Sequence, residues 1–177
     1  MGAMRATSTH TYAASPDRVF QVLTDPDVAT AKYTSRGHPD VRGGEHPVRD
    51  DAVVLRSTRN VPMEVPGFAK RILSPMNAVR QCDRWNAPDA HGVRTGTWEV
   101  AAAGVPVTVH GTLRLEPAAG GATTVEITAD ITCSLPLVGG KLATFVGNDV
   151  VRTIDAEVEF NVAQLTTKPS RAKKPRA

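Results

Sequence analysis

Cys82 and Cys133 are the only cysteines in the chain. They stand far apart, each within a strand-like run where a small buried thiol is the common outcome, so free thiols are expected rather than a disulfide framework. Long apolar runs are also missing. Nothing approaches the roughly 20 residues of a membrane span, and the start, Met1-Gly-Ala-Met-Arg-Ala-Thr, lacks the apolar core of a secretory signal. A cytoplasmic protein is expected. The five histidines, His10, His38, His46, His91 and His110, show no metal-ligand spacing, and neither cysteine belongs to a paired motif. Gly139-Gly140-Lys141 lacks the earlier glycine and the following Ser or Thr of a phosphate loop. After Pro136 those glycines are read instead as letting the next segment pack close to its neighbours. No cofactor and no metal are expected.

Charge is unevenly placed. The formal net charge is +3, but Lys168, Arg171, Lys173, Lys174 and Arg176 crowd the last segment, and without these five the body carries −2. Residues 166–177 are therefore expected to form a basic disordered tail, able at most to make weak, salt-sensitive contact with anionic lipid or nucleic acid. No specific nucleic-acid face is expected on the body. Residues 1–4 are read as a disordered start or a cloning remnant, since a second Met stands at position 4. Residues 5–165 carry no Pro- or Gly-rich linker and form one domain.

Within that domain the hydrophobic period changes from two to 3.6. Leu142, Phe145, Val146, Val150, Ile154, Val158, Val162 and Leu165 recur every three or four residues, which predicts one long amphipathic helix. Near the other end, Arg5 to Ala13 reads as a strand. Ser15-Pro16-Asp17 and Asp25-Pro26-Asp27 are two successive helix starts, each with a capping side chain, Pro at the first helical position and an acid in the first turn. Two short helices follow the first strand. Period-two strands are predicted at about 40–48, 52–61, 78–86, 93–102, 105–116 and 123–135, separated by turn signals such as Arg49-Asp50-Asp51 and Ala119-Gly120-Gly121. Pro62 to Pro75 interrupts the series, and Phe68 to Leu73 within it is read as a helical turn or mobile flap. Short loops favour a meander that curves around the long helix, with the first strand closing an edge.

This order, together with Thr11-Tyr-Ala-Ala-Ser-Pro-Asp-Arg-Val-Phe20, Val61-Pro-Met-Glu-Val-Pro-Gly-Phe-Ala-Lys70, Gly92-Val-Arg-Thr-Gly-Thr-Trp98 and Leu135-Pro-Leu-Val-Gly-Gly-Lys141, resembles an actinobacterial family of uncharacterised function in the START-like (SRPBCC) superfamily. That superfamily includes birch-pollen allergens, polyketide cyclases and activators of a heat-shock ATPase. The resemblance implies an α+β helix-grip fold, with about seven antiparallel strands wrapped around the C-terminal helix. It also implies a cavity between sheet and helix for a hydrophobic or amphipathic small molecule, lipid-like or polyketide-like. It implies no reaction, because folds of this kind host many functions.

The cavity residues expected from this reading are His10, Tyr12, Phe68, Trp85, Trp98, Phe145, Val146, Val150 and Ile154. The tryptophans serve either as flat ligand contacts or as core filling. Gly147 either makes room for ligand or admits a close strand. His10 beside Tyr12 is the one candidate for acid/base work, against the alternative of a satisfied core histidine. Asp155 and Glu159 share a helix face that reads as solvated. Non-catalytic binding is the leading expectation. Its rivals are a cyclase- or dehydratase-like enzyme using His10 and Tyr12, and a protein-interaction module resembling the heat-shock ATPase activators.

Overall fold

The computed structural model describes residues 2–47 and 51–167. Strand β1 (Gly2–Tyr12) leads into α1 (Pro16–Thr24) and α2 (Pro26–Ser35), and six strands follow: β2 (Arg42–Pro47), β3 (Val53–Pro62), β4 (Met76–Trp85), β5 (Arg94–Ala102), β6 (Val107–Pro117) and β7 (Thr123–Cys133). The long helix α3 (Gly139–Thr166) closes the described chain. All neighbouring strands are antiparallel, in the order β1-β7-β6-β5-β4-β3-β2. The expected meander forms, and β1 closes its far edge beside β7.

Local chemistry explains the bend between the short helices. Ser15 Oγ accepts from the Arg18 amide at 3.4 Å, and Asp25 Oδ1 accepts from the amides of Asp27 and Val28 at 2.8 and 3.3 Å. Each cap satisfies amides that the first turn leaves without helical partners. Pro26 directly after the Asp25 cap ends one helix and starts the next.

One expectation needs correction at the start of the chain. Residues 2–4 are not a loose lead: β1 begins at Gly2 and pairs with β7 from Gly2 opposite Cys133 onward. Gly2 is buried against the backbone of Gly139 and Gly140, so closely that a Cβ there would overlap them. Gly139 and Gly2 thus let helix and sheet approach, whereas a Cβ on Gly140 would meet open space. Farther along, Gly147 meets Met4, so the mid-helix glycine admits a strand side chain rather than ligand. At the other end α3 continues to Thr166, whereas the basic residues from Lys168 onward, like Arg49 and Asp50 of the expected turn, lie outside the described residues.

With 28 residues, α3 is about 42 Å long at 1.5 Å per residue. It runs beside β1 in the same direction, with Gly139 near Gly2, Gly147 near Met4 and Asn161 near Tyr12. Val162 is an exception to its predicted apolar face and is exposed. The core comes from the inner faces of β5, β6 and β7, notably Trp98, Val109, Leu113, Leu115, Val125 and Ile131, with Leu142, Ala143 and Ile154 of α3. Both cysteines are buried and free. No described helix is long and apolar enough to cross a membrane.

Candidate functional site

Because α3 leans on β1 and β7, it leaves space over the other half of the sheet. A cavity of about 190 Å³ lies there, lined by the inner residues of β3 to β7, by Tyr12 and Leu23, and by Val146, Val150, Ile154 and Val158 of α3. Of the residues expected in it, Tyr12, Trp85, Trp98, Val146, Val150 and Ile154 line the wall. Three do not. His10 forms the expected pair with Tyr12, edge to face at 4.6 Å, but only Tyr12 reaches the cavity. The alternation of β1 puts both rings on the inner face, yet His10 lies outside the cavity. Phe68 and Phe145 meet each other outside the lining, edge to face at 6.4 Å.

The wall has two characters. Near β5 to β7 it is apolar, made of Trp98, Val100, Val107, Val109, Val125 and Ile127. Toward α2, β3 and β4 it is charged. Lys32 Nζ donates to Glu157 Oε2 at 2.8 Å, with the two side chains 12% and 19% exposed. Burial opposes both charges, but each partner overrides it in the other: Lys32 titrates above its ordinary value and Glu157 below.

Beside this pair, Arg59 stacks its guanidinium 3.8 Å over the Tyr33 ring and donates to Ser57 Oγ at 3.2 Å and Gln81 Oε1 at 2.9 Å. Gln81 turns its amide nitrogen to the Asp83 carboxylate at 3.0 and 3.3 Å. Burial raises the Asp83 carboxyl to about 6, against the Gln81 hydrogen bond and the Lys32 charge. His38, stacked on Tyr33, is lowered to about 4 by burial and then by the cations Arg59 and Arg36. Its imidazole is neutral at pH 7. Burial pushes the Tyr12 and Tyr33 hydroxyls up, so both remain protonated.

Three atoms of this charged end are left over. Among the described residues, Arg59 Nε, His38 Nδ1 and Asn161 Oδ1 are buried without a hydrogen-bond partner, and all three residues line the cavity. A buried polar atom without a partner costs about 1–3 kcal/mol, so three in one wall call for an explanation.

The chain matches the family described as "Protein of unknown function (DUF2505)" over residues 7–164. It belongs to that family. No curated protein matches the sequence. Among solved structures, this DUF2505 chain is similar to TTHA0849 from Thermus thermophilus, at 13% identity, 92% of this chain, 97% of that one and a TM-score of 0.62. It is similar to the Zhui aromatase/cyclase from Streptomyces sp. R1128, at 16% identity, 92% and 93% coverage and a TM-score of 0.57. Norcoclaurine synthase from Thalictrum flavum, solved with dopamine and hydroxybenzaldehyde, is similar at 13% identity, 96% and 90% coverage and a TM-score of 0.51. At such identities the likeness shows the helix-grip fold alone.

The charged end is what sequence reasoning missed in this DUF2505 chain, although parity carried the signal. On β3, Leu55, Ser57, Arg59 and Val61 share one face, and on β4 so do Val79, Gln81, Asp83 and Trp85. Polar residues thus occupy positions whose neighbours two residues away are core. On α3, Asp149, Thr153, Glu157 and Asn161 form a row at four-residue spacing beside the apolar stripe. Asp155 and Glu159, by contrast, are exposed, as their face suggested.

Proposed function

We propose that this protein binds one compact amphipathic molecule in the cavity under α3, with its apolar part against Trp98 and the valines and its polar part toward Arg59, His38 and Asn161. The observation that carries this reading is the joint presence of an apolar-walled space and three unpartnered buried polar atoms in one wall. Protein interiors close such space unless something uses it, and polar atoms are rarely buried unpaired. Size refines the ligand. A dry cavity of about 150 Å³ accommodates benzene, so about 190 Å³ favours a one- or two-ring molecule, polyketide-like in shape, over a long-chain lipid. The one-ring molecules dopamine and hydroxybenzaldehyde held by norcoclaurine synthase, which shares the fold, support the same size class.

The alternative readings fare less well. His10 lies outside the cavity, which takes the proposed acid/base pair away from any bound substrate. An adaptor was expected to pair a collapsed cavity with an exposed apolar patch. Here the cavity is not collapsed, and among the described residues the exposed large apolar side chains, Phe68, Met76, Leu137 and Val162, come from four different segments. Native mass spectrometry of freshly purified protein tests the proposal. A single stoichiometric adduct of small-molecule mass is expected. Its absence, joined to failure of the purified protein to take up any ring-sized apolar probe, sinks the reading.

A further inference from the structure

We infer that the charged end of the cavity selects an uncharged, hydroxyl-bearing ring compound and rejects both carboxylates and amines of the same size. The inference rests on the cavity-binding proposal and adds the chemistry of the headgroup. Charges of both signs already stand at this end, and among the described residues Arg59 makes no direct ion pair. Lys32 is held by Glu157 at 2.8 Å, Asp149 by Arg152 at 3.2 Å, and Arg59 is linked through Gln81 to Asp83. Arg36 turns away to the carbonyl and hydroxyl of Thr153 at 3.1 and 3.3 Å. A ligand carboxylate arriving here faces Glu157, Asp83 and Asp149, whereas an ammonium faces Lys32 and Arg59. Either is buried beside like charges of this wall, which is costly at low dielectric.

What remains free is hydrogen-bonding capacity of both kinds. Arg59 Nε keeps an unpartnered donor hydrogen, while its terminal nitrogens donate to Ser57 and Gln81. Asn161 Oδ1 is an acceptor, and the neutral imidazole of His38 offers Nδ1 as one or the other. Arg59, His38 and Asn161 are 7%, 8% and 4% exposed, so water outside the protein does not serve them. Hydroxyl and enol groups donate and accept at once, and therefore suit a wall whose residues hold both an unmet donor and an unmet acceptor.

Four probes of one ring size test this: 2-naphthol, naphthalene, 2-naphthoate and 2-naphthylmethylammonium, titrated by calorimetry and ligand fluorescence at pH 7.5. Binding of 2-naphthol about tenfold or more tighter than the other three is expected, corresponding to one or two net hydrogen bonds. Asn161→Leu removes the acceptor while keeping an apolar wall, so it should weaken 2-naphthol severalfold and leave naphthalene unchanged or tighter. That variant deletes the unpartnered oxygen together with the side-chain contact of Asn161 to Tyr12, so its thermal midpoint is measured alongside, and the wild-type probe series stands whatever the midpoint does. Equal binding of naphthalene and 2-naphthol leaves the cavity reading intact and overturns the headgroup inference. Tightest binding of 2-naphthoate or of the ammonium overturns it as well. If none of the four binds, the cavity proposal falls and takes this inference with it.

Discussion

The indole Nε1–H of Trp98 donates to the backbone carbonyl of Thr128 at 2.7 Å, reaching across β6 from β5 to β7 over Gly111. Gly111 stands directly opposite Trp98, and a Cβ there would overlap both the Thr128 carbonyl and the indole nitrogen. The ladder yields to this contact: the Thr112 amide donates to the Thr128 side-chain oxygen at 2.9 Å. Trp98 is thereby fixed as a wall of the cavity with its polar atom satisfied.

Gly111→Ala should therefore destabilise the protein at the upper end of the about 1–3 kcal/mol typical of overpacking, because the obstructing atom is backbone and cannot rotate away. Trp98→Phe keeps a ring but leaves the Thr128 carbonyl without its donor, and should cost about 1–3 kcal/mol. Urea unfolding of both variants checks this. A Gly111→Ala protein as stable as wild type contradicts the described packing.

The Lys32 and Glu157 pair predicts strong non-additivity. Lys32→Met or Glu157→Gln alone leaves the other charge buried and unmatched, at a cost of about 3–5 kcal/mol each. Removing both charges together should cost much less than the sum, with an interaction energy of about 2–3 kcal/mol in a double-mutant cycle. Simple additivity means that the pair is not desolvated as the structure has it.

Asp83 and His38 make opposite contributions to stability as pH changes. With its carboxyl at about 6 in the folded protein, against about 3.9 when unfolded, Asp83 binds its proton more readily when folded. Its contribution is thus gained as pH falls through about 6 and lost as pH rises. His38, at about 4 folded and about 6.5 unfolded, works the other way: its contribution is present above about 6.5 and lost as pH falls toward about 4. The two oppose each other over the same window. Asp83→Asn should unmask the histidine, so the melting temperature drops between pH 7 and 5, whereas His38→Gln should make it rise. Each change corresponds to about 1–2 kcal/mol after allowance for partial exposure. Matching pH profiles for both variants contradict this assignment.

Much of the frame was legible because it rests on repeating signals. Period-two alternation in β6 and β7, the two Pro-containing caps and the apolar stripe of α3 each specify an element locally. The cavity wall was legible only on its apolar side, where Trp98, Val146 and Val150 follow the same periodicity. Its charged side arises from residues distant in sequence, Lys32, Arg59, Asp83 and Glu157, that become neighbours only after the sheet curves under α3. Single polar residues on inner-face positions were the available sign. His10 misled for a related reason, since strand parity tells which face a side chain takes but not how far the cavity extends along it.

The segment 62–75 is pinned at three places rather than free. The Met63 amide donates to the Pro75 carbonyl at 2.9 Å, closing its neck, while Ala69 and Leu73 are buried and Phe68, 43% exposed, reaches Phe145 of α3. Leu73 and Met63 line the cavity, so the segment is part of the wall. If it opens to admit ligand, the Phe68–Phe145 contact must break while the buried anchors hold the segment in place. Phe68→Ala should speed uptake and release of 2-naphthol by roughly threefold to tenfold with little change in affinity, as expected when about 1 kcal/mol of aromatic contact is lost from the closed state. Stopped-flow fluorescence reads both rates. Unchanged rates with slow amide exchange throughout the segment place the entrance elsewhere.

Val150 offers the most direct test of whether the space under α3 is used. Val150 lines the cavity two turns before Val158 and one turn before Ile154. In a filled core, Val150→Trp should cost about 1–3 kcal/mol or more, because nothing can move aside for an indole. Over a cavity of about 190 Å³ the indole has somewhere to go, and burying it adds apolar contact. The expected result is a melting temperature within a few degrees of wild type, or above it, together with loss of 2-naphthol and naphthalene binding. Val162→Trp on the exposed side of the same helix is the control and should leave both properties unchanged. A Val150→Trp protein that melts far below wild type, from a wild type that binds neither probe, means that protein atoms fill the space and that the small-molecule reading is wrong. A stable variant that still binds both probes at wild-type strength places the ligand away from α3.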